Sequence, residues 1–571
     1  MNKAAFDAKL LDNAIDQLGE KKDEWARLAI DRKIDYLRQC IEGTVAVAER
    51  QVAAALDAKG LSASSPQAGE EWLGGPLVTV RCCRLLLRSL EQVRSHGTPQ
   101  LMDGAVSTRP DGQVVVNVFP ENTLDKMLYA GFSAEVWMQP DVNASDLAST
   151  MAVFYKQKDP EGRVALVLGA GNVASIGPLD VIYKLFVEGQ VCLLKMNPVN
   201  DYLGPYVEEA FRCLVDRGYL RFAYGGADVG SYLTQHAGID EIHITGSDRT
   251  HDAIVFGTGE EGKKRKADNN PICDKRITSE LGNVSPVIVV PGLWSKSELR
   301  FQAENIATQM TNNAGFNCNA AKVLVMHDKW PQRTALLAEL RDVLAQVPQR
   351  PWYYPGAGDR WASFKDAHPQ AETYGDERGG STGPVLPWTL IPGVDSGDPT
   401  EMCFSVESFC GVTAETTLGG ADAGEFLANA VRFCNERVWG TLNACIIVHP
   451  KSAAALGSRL EQAIADLEYG SIAINHWPAL AYGLGVTTWG AYPGHTFDDI
   501  QSGIGVVHNA YMFDRPQKSV VRGPFKMFPK PPWFVTNKQT HNIAPKLVAF
   551  EQNPRMLAVP GIALGAIIGS F

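Results

Sequence analysis

The sequence has no excess of positive charge. Its 53 Lys and Arg residues are outnumbered by 64 Asp and Glu residues, which gives a formal net charge of −11 and a pI near 5.6. A general nucleic-acid binder needs a basic face, so the composition argues against that class. Hydrophobic residues make up 45% of the chain and charged residues 20%, as in ordinary globular proteins. A length of 571 residues allows two or three structural units, each with an ample core.

The cysteines lack any paired spacing. There are 11, an odd number, and none forms a C-x-x-C pair or another spacing typical of a zinc site. Most lie in apolar runs, such as those around Cys192 and Cys445, where a thiol acts as a small hydrophobic group. The pattern predicts a reduced, cytoplasmic protein and no metal site.

Long apolar runs are absent as well. No stretch reaches the roughly 20 apolar residues that a membrane span requires. Charged residues interrupt the N-terminus, so a signal peptide is not expected. The run 556–571 is almost free of polar groups and has glycine at every fourth position, which permits close helix packing. Because this run is short and contains Pro560, we expect it to dock on its own protein or on a partner subunit.

The pattern along the chain changes near residue 163. Apolar residues at helical spacing over 30–41 predict helices in the first 60 residues. From 163 onwards short apolar runs alternate with helical patterns, and 284–328 repeats this plan, which predicts parallel, doubly wound sheets. The polar stretch 259–270, with its basic cluster, predicts a solvated loop. The Pro- and Gly-rich stretch 348–385 predicts a surface insertion.

A glycine turn follows the first of these apolar runs and has two interpretations. The stretch 169–174 fits the dinucleotide fingerprint G-x-G-x-x-A. That interpretation predicts an acid at the end of the next strand, but this strand ends in Lys195 followed by Met-Asn-Pro. In the other interpretation the turn delivers Asn172 to a reaction centre, where its neutral amide stabilises an oxyanion. The turn alone leaves both interpretations open.

Four further motifs are weak one by one but ordered together. They are Thr245-Gly-Ser247, Glu280-Leu-Gly-Asn283, Gly315-Phe-Asn-Cys318 and Glu407-Ser-Phe409. A single cysteine before a strand is usually core packing, and a Glu before Leu-Gly is usually a turn or cap. In this order, together with Asn172 and Lys195, the motifs resemble the aldehyde dehydrogenase superfamily over roughly residues 20–527.

The resemblance implies an α/β fold of two doubly wound, Rossmann-like domains plus a β oligomerisation arm. An NAD(P)-binding domain would cover 1–282, with an oligomerisation hairpin near 110–165. A catalytic domain would cover 283–505, and 506–571 would hold the oligomerisation strand and a C-terminal tail. The implied assembly is a homodimer or homotetramer, without nucleic acid.

The resemblance also implies an activity, the NAD(P)+-dependent oxidation of an aldehyde to a carboxylic acid through a cysteine thiohemiacetal and thioester. It assigns Cys318 as nucleophile, Glu280 as general base and Asn172 as oxyanion donor. The cofactor, NAD or NADP, would contact a second set of residues: Lys195, Gly246, Ser247, Glu407 and Phe409.

Elementary chemistry supports these residue types. A thiolate is the strongest side-chain nucleophile near neutral pH when its pKa is lowered, so Cys318 can attack an aldehyde carbon. Burial can raise the pKa of a glutamic acid toward neutrality, where Glu280 would work as a base on water. We also expect Gly315, which has no side chain, to let the cofactor approach the nucleophile loop.

Departures from the family pattern leave alternatives open. Pro198 replaces the acid that favours NAD in the family, so NADP is more plausible than usual and the choice stays open. The alternatives to hydrolytic oxidation are a CoA-linked acylating dehydrogenase or acyl thioester reductase, and an inactive binding or scaffold homologue. The CoA-linked branch usually lacks the base, so Glu280 favours hydrolysis, and the intact set of Asn172, Glu280 and Cys318 argues against inactivity.

Aromatic residues in 476–494 suggest a substrate class. Two interpretations carry equal weight: the side chains line an apolar channel for a medium, apolar aldehyde, or they are core aromatics. The residues concerned are His476, Trp477, Tyr482 and Trp489.

Overall fold

A computed structural model describes residues 6–376 and 384–571. The chain begins with the helices expected in the first 60 residues, and two more follow: α1 (Ala8–Ala26), α2 (Ile30–Ala58), α3 (Ala68–Trp72) and α4 (Val78–His96). A π-helical turn, Leu73–Leu77, joins the last two. Buried apolar residues on α1, among them Leu18 and Trp25, pack on the five-stranded sheet described below, so this helix covers one face of that sheet.

A hairpin-like unit comes next. It consists of β1 (Val106–Thr108), β2 (Val114–Phe119), α5 (Thr123–Leu128) and β3 (Ser133–Met138). β2 pairs antiparallel with both neighbours, β1 and β3. Its run of valines is buried, as a strand covered on both faces requires.

The first α/β unit contains a five-stranded parallel sheet in the order β6-β5-β4-β7-β8. Its strands are β4 (Val164–Leu168), β5 (Val191–Lys195), β6 (Leu220–Ala223), β7 (Glu241–Thr245) and β8 (Arg276–Glu280). Its helices are α6 (Ile176–Phe186), α7 (Gly204–Ala210), α8 (Arg212–Val215), α9 (Ala227–Gln235), α10 (Asp248–Val255) and α11 (Gly259–Ala267).

The prediction of a loop over 259–270 was wrong, because most of that stretch forms helix α11. Glu260 and Glu261 lie in its first turn, whereas Lys264, Arg265 and Lys266 lie in its last turn. This arrangement complements the helix dipole and stabilises a helix that has almost no apolar face. In this stretch the order of the charges indicates a helix, whereas hydrophobic periodicity does not.

The second unit alternates strands and helices in the same way. Its strands are β9 (Ser285–Val289), β10 (Ala321–His327), β11 (Glu372–Tyr374), β12 (Trp388–Val394), β13 (Val412–Leu418), β14 (Asn443–Ile447), β15 (Ser471–Ile474), β16 (Trp489–Gly490), β17 (Val506–Val507) and β18 (Pro516–Arg522). Its helices are α12 (Lys296–Thr311), α13 (Arg333–Gln346), α14 (Ala357–Ala367), α15 (Met402–Ser405), α16 (Ala423–Arg437), α17 (Pro450–Leu456), α18 (Ser458–Asp466) and α19 (Ala479–Leu484).

Most of these strands join one large sheet with the hairpin. The order of its 11 strands is β1-β2-β3-β18-β15-β14-β9-β10-β13-β12-β11. β18 is parallel to β15 on one side and antiparallel to β3 on the other, so it links the hairpin to the second unit. The fold is therefore α/β, with two parallel sheets and an antiparallel β arm.

The C-terminal run docks on its own chain. Helices α20 (Thr540–Gln552) and α21 (Val559–Gly569) pack together, and Glu551 forms a 2.6 Å ion pair with Arg81 of α4. A Cβ on Gly565 would lie 2.9 Å from Ile543, so the glycine allows close contact between the two helices. In the part of the chain that the structure describes, no helix is long and apolar enough to cross a bilayer.

Candidate active site

Three residues far apart in sequence meet between the two sheets. Glu280 ends β8, Asn172 lies in the turn after β4, and Cys318 lies in the loop before β10. The Asn172 amide Nδ2 donates a hydrogen bond of 2.9 Å to the backbone oxygen of Phe316, two residues before Cys318. The Glu280 carboxyl group lies against the Cys318 thiol, and each changes the pKa of the other. The structure thus brings an amide, a carboxyl group and a thiol together.

The peptide of the cysteine is fixed by side chains from two other strands. Ser285 Oγ and Asn443 Nδ2 each donate a hydrogen bond of 3.0 Å to the Cys318 carbonyl oxygen. The indole N–H of Trp477 donates to the next carbonyl, that of Asn319, over 2.7 Å. These contacts set the position of the thiol before any ligand binds. Ser285 and Asn443 could not be predicted from the sequence, because each is an ordinary polar residue at the start of a strand.

The peptide of Asn172 is clamped as well. Its carbonyl oxygen accepts hydrogen bonds from Asn313 Nδ2 at 2.9 Å, from the Tyr353 hydroxyl at 3.0 Å and from Lys59 Nζ at 3.5 Å. Lys59 is itself paired with buried Glu71 at 2.7 Å. The N-terminal helices and the insertion around Tyr353 therefore help to hold the amide in place, which sequence reasoning missed.

Gly315 lies where two loops pack closely together. Three consecutive residues, Asn313, Ala314 and Gly315, have positive φ values of 52°, 58° and 77°. A Cβ on Gly315 would come within 2.5 Å of the carbonyl carbon of Cys410, so the glycine allows a neighbouring loop to pack closely. Lys322 Nζ joins the two loops by donating to the carbonyl oxygens of Gly315, at 3.2 Å, and Cys410, at 2.9 Å.

The electrostatics of the site favour a thiol beside a base that titrates near neutrality. Burial raises the pKa of Glu280 to about 7, and the charges of Asp180 and Glu407 add to this, whereas the Cys318 thiol and the Trp489 indole oppose it. Burial and the two glutamates raise the pKa of Cys318 well above its usual value. A proton therefore rests on the sulfur, and its acceptor lies next to it.

A buried acid behind Glu280 was not predicted. Asp180, on α6, accepts a hydrogen bond of 3.0 Å from Thr245 Oγ1, and its other oxygen lies 3.5 Å from His243 Nε2. His243 Nδ1 in turn lies 2.9 Å from the Thr278 hydroxyl. An acid in the mostly apolar helix α6 was the available signal, since carboxylates are rarely buried without a partner.

Three of the expected cofactor residues lie at the carboxyl edge of the five-stranded sheet. Lys195 ends β5 and is buried, which lowers its pKa, whereas Asp201 and Asp228 raise it. Among the described residues Lys195 Nζ has no hydrogen bond or ion pair. Ser247 begins α10 by accepting from the Thr250 N–H at 3.2 Å, and the Gly246 N–H donates to the Glu280 carbonyl at 3.1 Å. In doubly wound sheets this edge is where ligands bind.

Glu407 and Phe409 lie on the loop that precedes β13. Burial raises the pKa of Glu407 to about 7, against the opposing effects of Lys322 and the Asn283 N–H. A Cβ on Gly282 would lie 2.2 Å from Glu407 Oε2, so a larger residue there would displace the Glu407 carboxylate. The other oxygen, Oε1, is buried and has no hydrogen-bond partner in the described part of the chain. Phe409 has a φ of 42° and packs on Tyr354.

The four aromatic residues of the expected channel separate into different environments. His476 is a core residue: its Nε2 donates to the Pro524 carbonyl at 2.9 Å and its ring packs on Phe132, so of the two interpretations the structure supports the core one for it. Trp477 anchors the nucleophile loop, as described above. Tyr482 and Trp489 lie 5.7 Å apart and belong to the apolar cluster that Cys318 contacts.

Comparison with known proteins gives a consistent picture. The model of the aldehyde dehydrogenase family matches residues 122–350, a stretch that includes Asn172, Glu280 and Cys318. An N-succinylglutamate 5-semialdehyde dehydrogenase of Sphingopyxis alaskensis is 28% identical over 185 residues, which is 32% of this chain and 35% of that protein. The alignment thus spans about a third of this curated relative.

Solved structures extend the likeness to almost the whole fold. An NAD-dependent aldehyde dehydrogenase from Sinorhizobium meliloti superposes with a TM-score of 0.59 at 19% identity, over 90% of this chain and 87% of that one. An NADP-dependent glyceraldehyde-3-phosphate dehydrogenase from Bacillus halodurans, solved with NADP, gives a TM-score of 0.58 at 17% identity, over 90% and 92%. At such identities the likeness shows the fold alone. The family model covers residues 122–350, so this part of the chain is similar to the aldehyde dehydrogenase family, and almost the whole chain has a fold similar to that of solved aldehyde dehydrogenases.

Proposed function

We propose that this protein oxidises an aldehyde to the carboxylic acid with NAD+ or NADP+, through a thioester on Cys318. The observation that carries the proposal is the contact between the Cys318 thiol and a glutamic acid whose pKa is about 7, beside the fixed amide of Asn172. Nucleophile, base and oxyanion donor are the three parts that acyl transfer requires.

The residues of the cleft fit a dinucleotide. The lone ammonium group of Lys195 at the end of β5 is suited to ribose hydroxyls, and the orphaned oxygen of Glu407 can accept a hydrogen bond from a second ribose. Pro198 leaves room for a 2′-phosphate without charge repulsion, so the proposal covers both NAD and NADP. When bound, the nicotinamide supplies the hydride acceptor and a positive ring charge.

The first step belongs to the protein's own residues. Ionised Glu280 takes the proton of the Cys318 thiol, and the sulfur forms a bond to the aldehyde carbon, which gives a thiohemiacetal. Negative charge develops on the former carbonyl oxygen. The Asn172 amide and the backbone N–H of Cys318 hold that oxygen, and their peptides are already fixed by the contacts described above.

After oxidation the acyl group is a thioester on Cys318, and Glu280 acts again. Having lost its proton to solvent, the carboxylate accepts a proton from a water molecule. The hydroxide adds to the thioester carbon, the carbon–sulfur bond breaks, and the sulfur leaves as a thiolate that is protonated again. A pKa near 7 suits this work, because the base is ionised at neutral pH and still basic enough to accept a proton.

The surroundings of the sulfur favour an apolar aldehyde of medium size. Cys318 packs against the apolar cluster that contains Trp489, and Leu480 and Tyr482 pack against the same cluster. Such walls reward apolar surface removed from water and offer little to a charged substrate. The rate with apolar aldehydes should therefore exceed the rate with short, charged ones.

A panel of aldehydes, run with NAD+ and NADP+ in parallel, tests the proposal by the absorbance of the reduced cofactor. The expected result is turnover by the wild-type chain, none by Cys318→Ser, and no acceleration by CoA. A CoA-dependent rate that survives Glu280→Gln would replace hydrolysis by acyl transfer to CoA. No reduced cofactor from any aldehyde, with a Cys318 inert to alkylation, would favour an inactive homologue.

A further inference from the structure

A second group of chemically reactive side chains lies outside the proposed active site. His368 follows α14, whereas Glu401 and Cys403 lie at the start of α15. His368 Nε2 is 3.1 Å and 3.3 Å from the two oxygens of Glu401 and 3.6 Å from Cys403 Sγ. The three ligand atoms all lie within 4.8 Å of one another. A tetrahedral zinc ion, with bonds of about 2.0 Å to N and O and about 2.3 Å to S, separates its ligands by roughly 3.3–3.8 Å.

The proton on the histidine ring is placed by its other nitrogen. His368 Nδ1 lies 2.7 Å from the carbonyl oxygen of Phe364, which can only accept, so Nδ1 carries a hydrogen. In a neutral ring the lone pair of Nε2 then points at the Glu401 carboxylate, which also presents lone pairs. His368 Nε2 and Glu401 Oε1 would then be two acceptors 3.1 Å apart, and such a contact needs a positive charge between them. A hydrogen bond from the distal ring nitrogen to a carbonyl is also the usual support of a metal-bound histidine.

A metal ion in that position would replace two protons. A proton on Nε2 binds the Glu401 carboxylate along one direction, and the Cys403 thiol donates a second proton to the same carboxylate. An ion attracts all three atoms at once. His368 and Cys403 are buried, and Glu401 is half-buried, so water can reach the fourth position. Among the described residues no lysine or arginine is paired with Glu401 to neutralise it.

We propose that His368 Nε2, the Glu401 carboxylate and the Cys403 sulfur bind one divalent transition-metal ion, with Zn²⁺ the best match to this ligand set. Binding releases the proton of the Cys403 thiol to solvent. The sequence predicted no metal site, because the ligands do not follow a recognised spacing. His368 comes from the insertion, and folding alone brings it to the other two.

The location suggests what the ion stabilises. Cys403 lies four residues before Glu407, at the base of the loop that carries Glu407 and Phe409. Helix α14 already holds that loop, since Arg360 donates to the carbonyl oxygens of Ser408, at 3.1 Å, and Phe409, at 3.3 Å. An ion between His368 and Cys403 adds a second link between the insertion and the loop. The proposal does not depend on the activity proposed above.

The full-length chain tests the site directly. We would strip the purified protein with a chelator, dialyse it against Zn²⁺ and measure bound metal by elemental analysis. The expected result is one zinc per chain in the wild type and in Cys318→Ser, and at least about tenfold less in Cys403→Ser. Cys434→Ser, which alters another buried thiol of the same unit, is the matched control and should keep its zinc. With Co²⁺, a thiolate-to-cobalt absorption band should be present and should vanish in Cys403→Ser.

A gentler variant separates loss of metal from loss of fold. Glutamine in Glu401→Gln can still accept the Cys403 N–H, now 2.7 Å from Glu401 Oε1, so helix α15 should begin normally. Added zinc should raise the Tm of the wild type and leave that of Glu401→Gln unchanged. The proposal is overturned by zinc that binds wild type and Cys403→Ser equally, or by zinc that is lost only in Cys318→Ser. It is also overturned by a metal-free wild type whose His368 is an imidazolium ion paired with Glu401.

Discussion

The molecule contains two places where a cysteine lies beside a glutamic acid. In the first, Cys318 faces Glu280; in the second, Cys403 lies near Glu401. Burial raises the thiol pKa in both, and the neighbouring carboxylate raises it further. The two differ in the third partner, which is the Asn172 amide in one and the His368 imidazole in the other.

This difference shows how the same pair of side chains can serve two kinds of chemistry. An amide N–H donates, so the first group can stabilise negative charge on a substrate oxygen. In the proposed metal site the His368 imidazole presents a lone pair beside the carboxylate and the sulfur, so the second group would bind a cation. Exposure adds to the contrast, because Cys318 is half-buried at a cleft whereas Cys403 is buried.

The largest expected effect comes from removing the first sulfur. Cys318→Ser should lower kcat/KM by about 10⁴-fold or more, because an alcohol at this position is a far weaker nucleophile. The control is Cys434→Ser, a buried thiol that belongs to neither group, which should keep the wild-type rate per folded chain. A comparable loss in both variants would show that stability, not chemistry, is being measured.

Replacing the base should have the next largest effect. Glu280→Gln should lower steady-state turnover by about 10²–10⁴-fold, since glutamine cannot accept a proton from water. A single burst of reduced cofactor should remain if Cys318 can still ionise, which stopped-flow absorbance would detect. Undiminished steady-state turnover in this variant would contradict the role of Glu280.

Removal of the Asn172 amide should lower the rate about as much as the loss of one oxyanion donor does in other enzymes. Asn172→Ala should lower kcat by about 10²–10³-fold with a smaller change in KM, because the interaction strengthens as charge develops. Tyr353→Phe is a useful companion, since it removes one donor to the Asn172 carbonyl and leaves the amide in place. It should cost only a few-fold. An equal loss in both would assign Asn172 a structural role.

The smallest effect is a shift in pH dependence. The base form of Glu280 is the ionised one, so kcat/KM should rise as pH increases through about 7. Because the Asp180 charge helps to raise this pKa, Asp180→Asn should move the midpoint to lower pH. Asp103→Asn, an equal change of charge on an exposed residue, is the control and should leave the midpoint in place. A midpoint unmoved by Asp180→Asn would remove this acid from the account.

The ionisation of Glu280 should also affect the free energy of unfolding. Activity should rise as pH increases through about 7, whereas stability should fall. The pKa of Glu280 is raised from 4.5 to about 7 in the folded protein, so folding favours the protonated acid. Above about pH 4.5 the buried group costs stability progressively, until the cost is fully present above about pH 7. Glu280→Gln should therefore be more stable than wild type at pH 8 and similar at pH 4, by chemical denaturation.

The sequence predicted the layout of the sheets well for a physical reason. Strands buried on both faces read as continuous apolar runs, as in Val164–Leu168 and Val191–Lys195, and helices between them show a different period. The helix α11 was missed because its stability comes from charge order rather than an apolar face.

The candidate site was predicted in part. Ordered motifs nominated Asn172, Glu280 and Cys318, because each lies in a short stretch that resembles the family. Residues that act by position alone gave no such signal: Ser285 and Asn443 are ordinary polar residues until folding brings both to one carbonyl. The group around His368 escaped for the same reason, since its members meet only after the insertion packs on the loop.

The central claim is that the thiol of Cys318 carries the acyl group and that Glu280 is needed to release it. Glu280→Gln, mixed at alkaline pH with aldehyde and oxidised cofactor and then digested for mass spectrometry, tests this most directly. Loss of the Glu280 charge lowers the pKa of the Cys318 thiol, so at alkaline pH the sulfur can ionise without the base. The account predicts that the peptide containing Cys318 gains the mass of the acyl group, in step with one equivalent of reduced cofactor. An unmodified Cys318 peptide, or an acyl group on another residue, alongside that equivalent of reduced cofactor would contradict it.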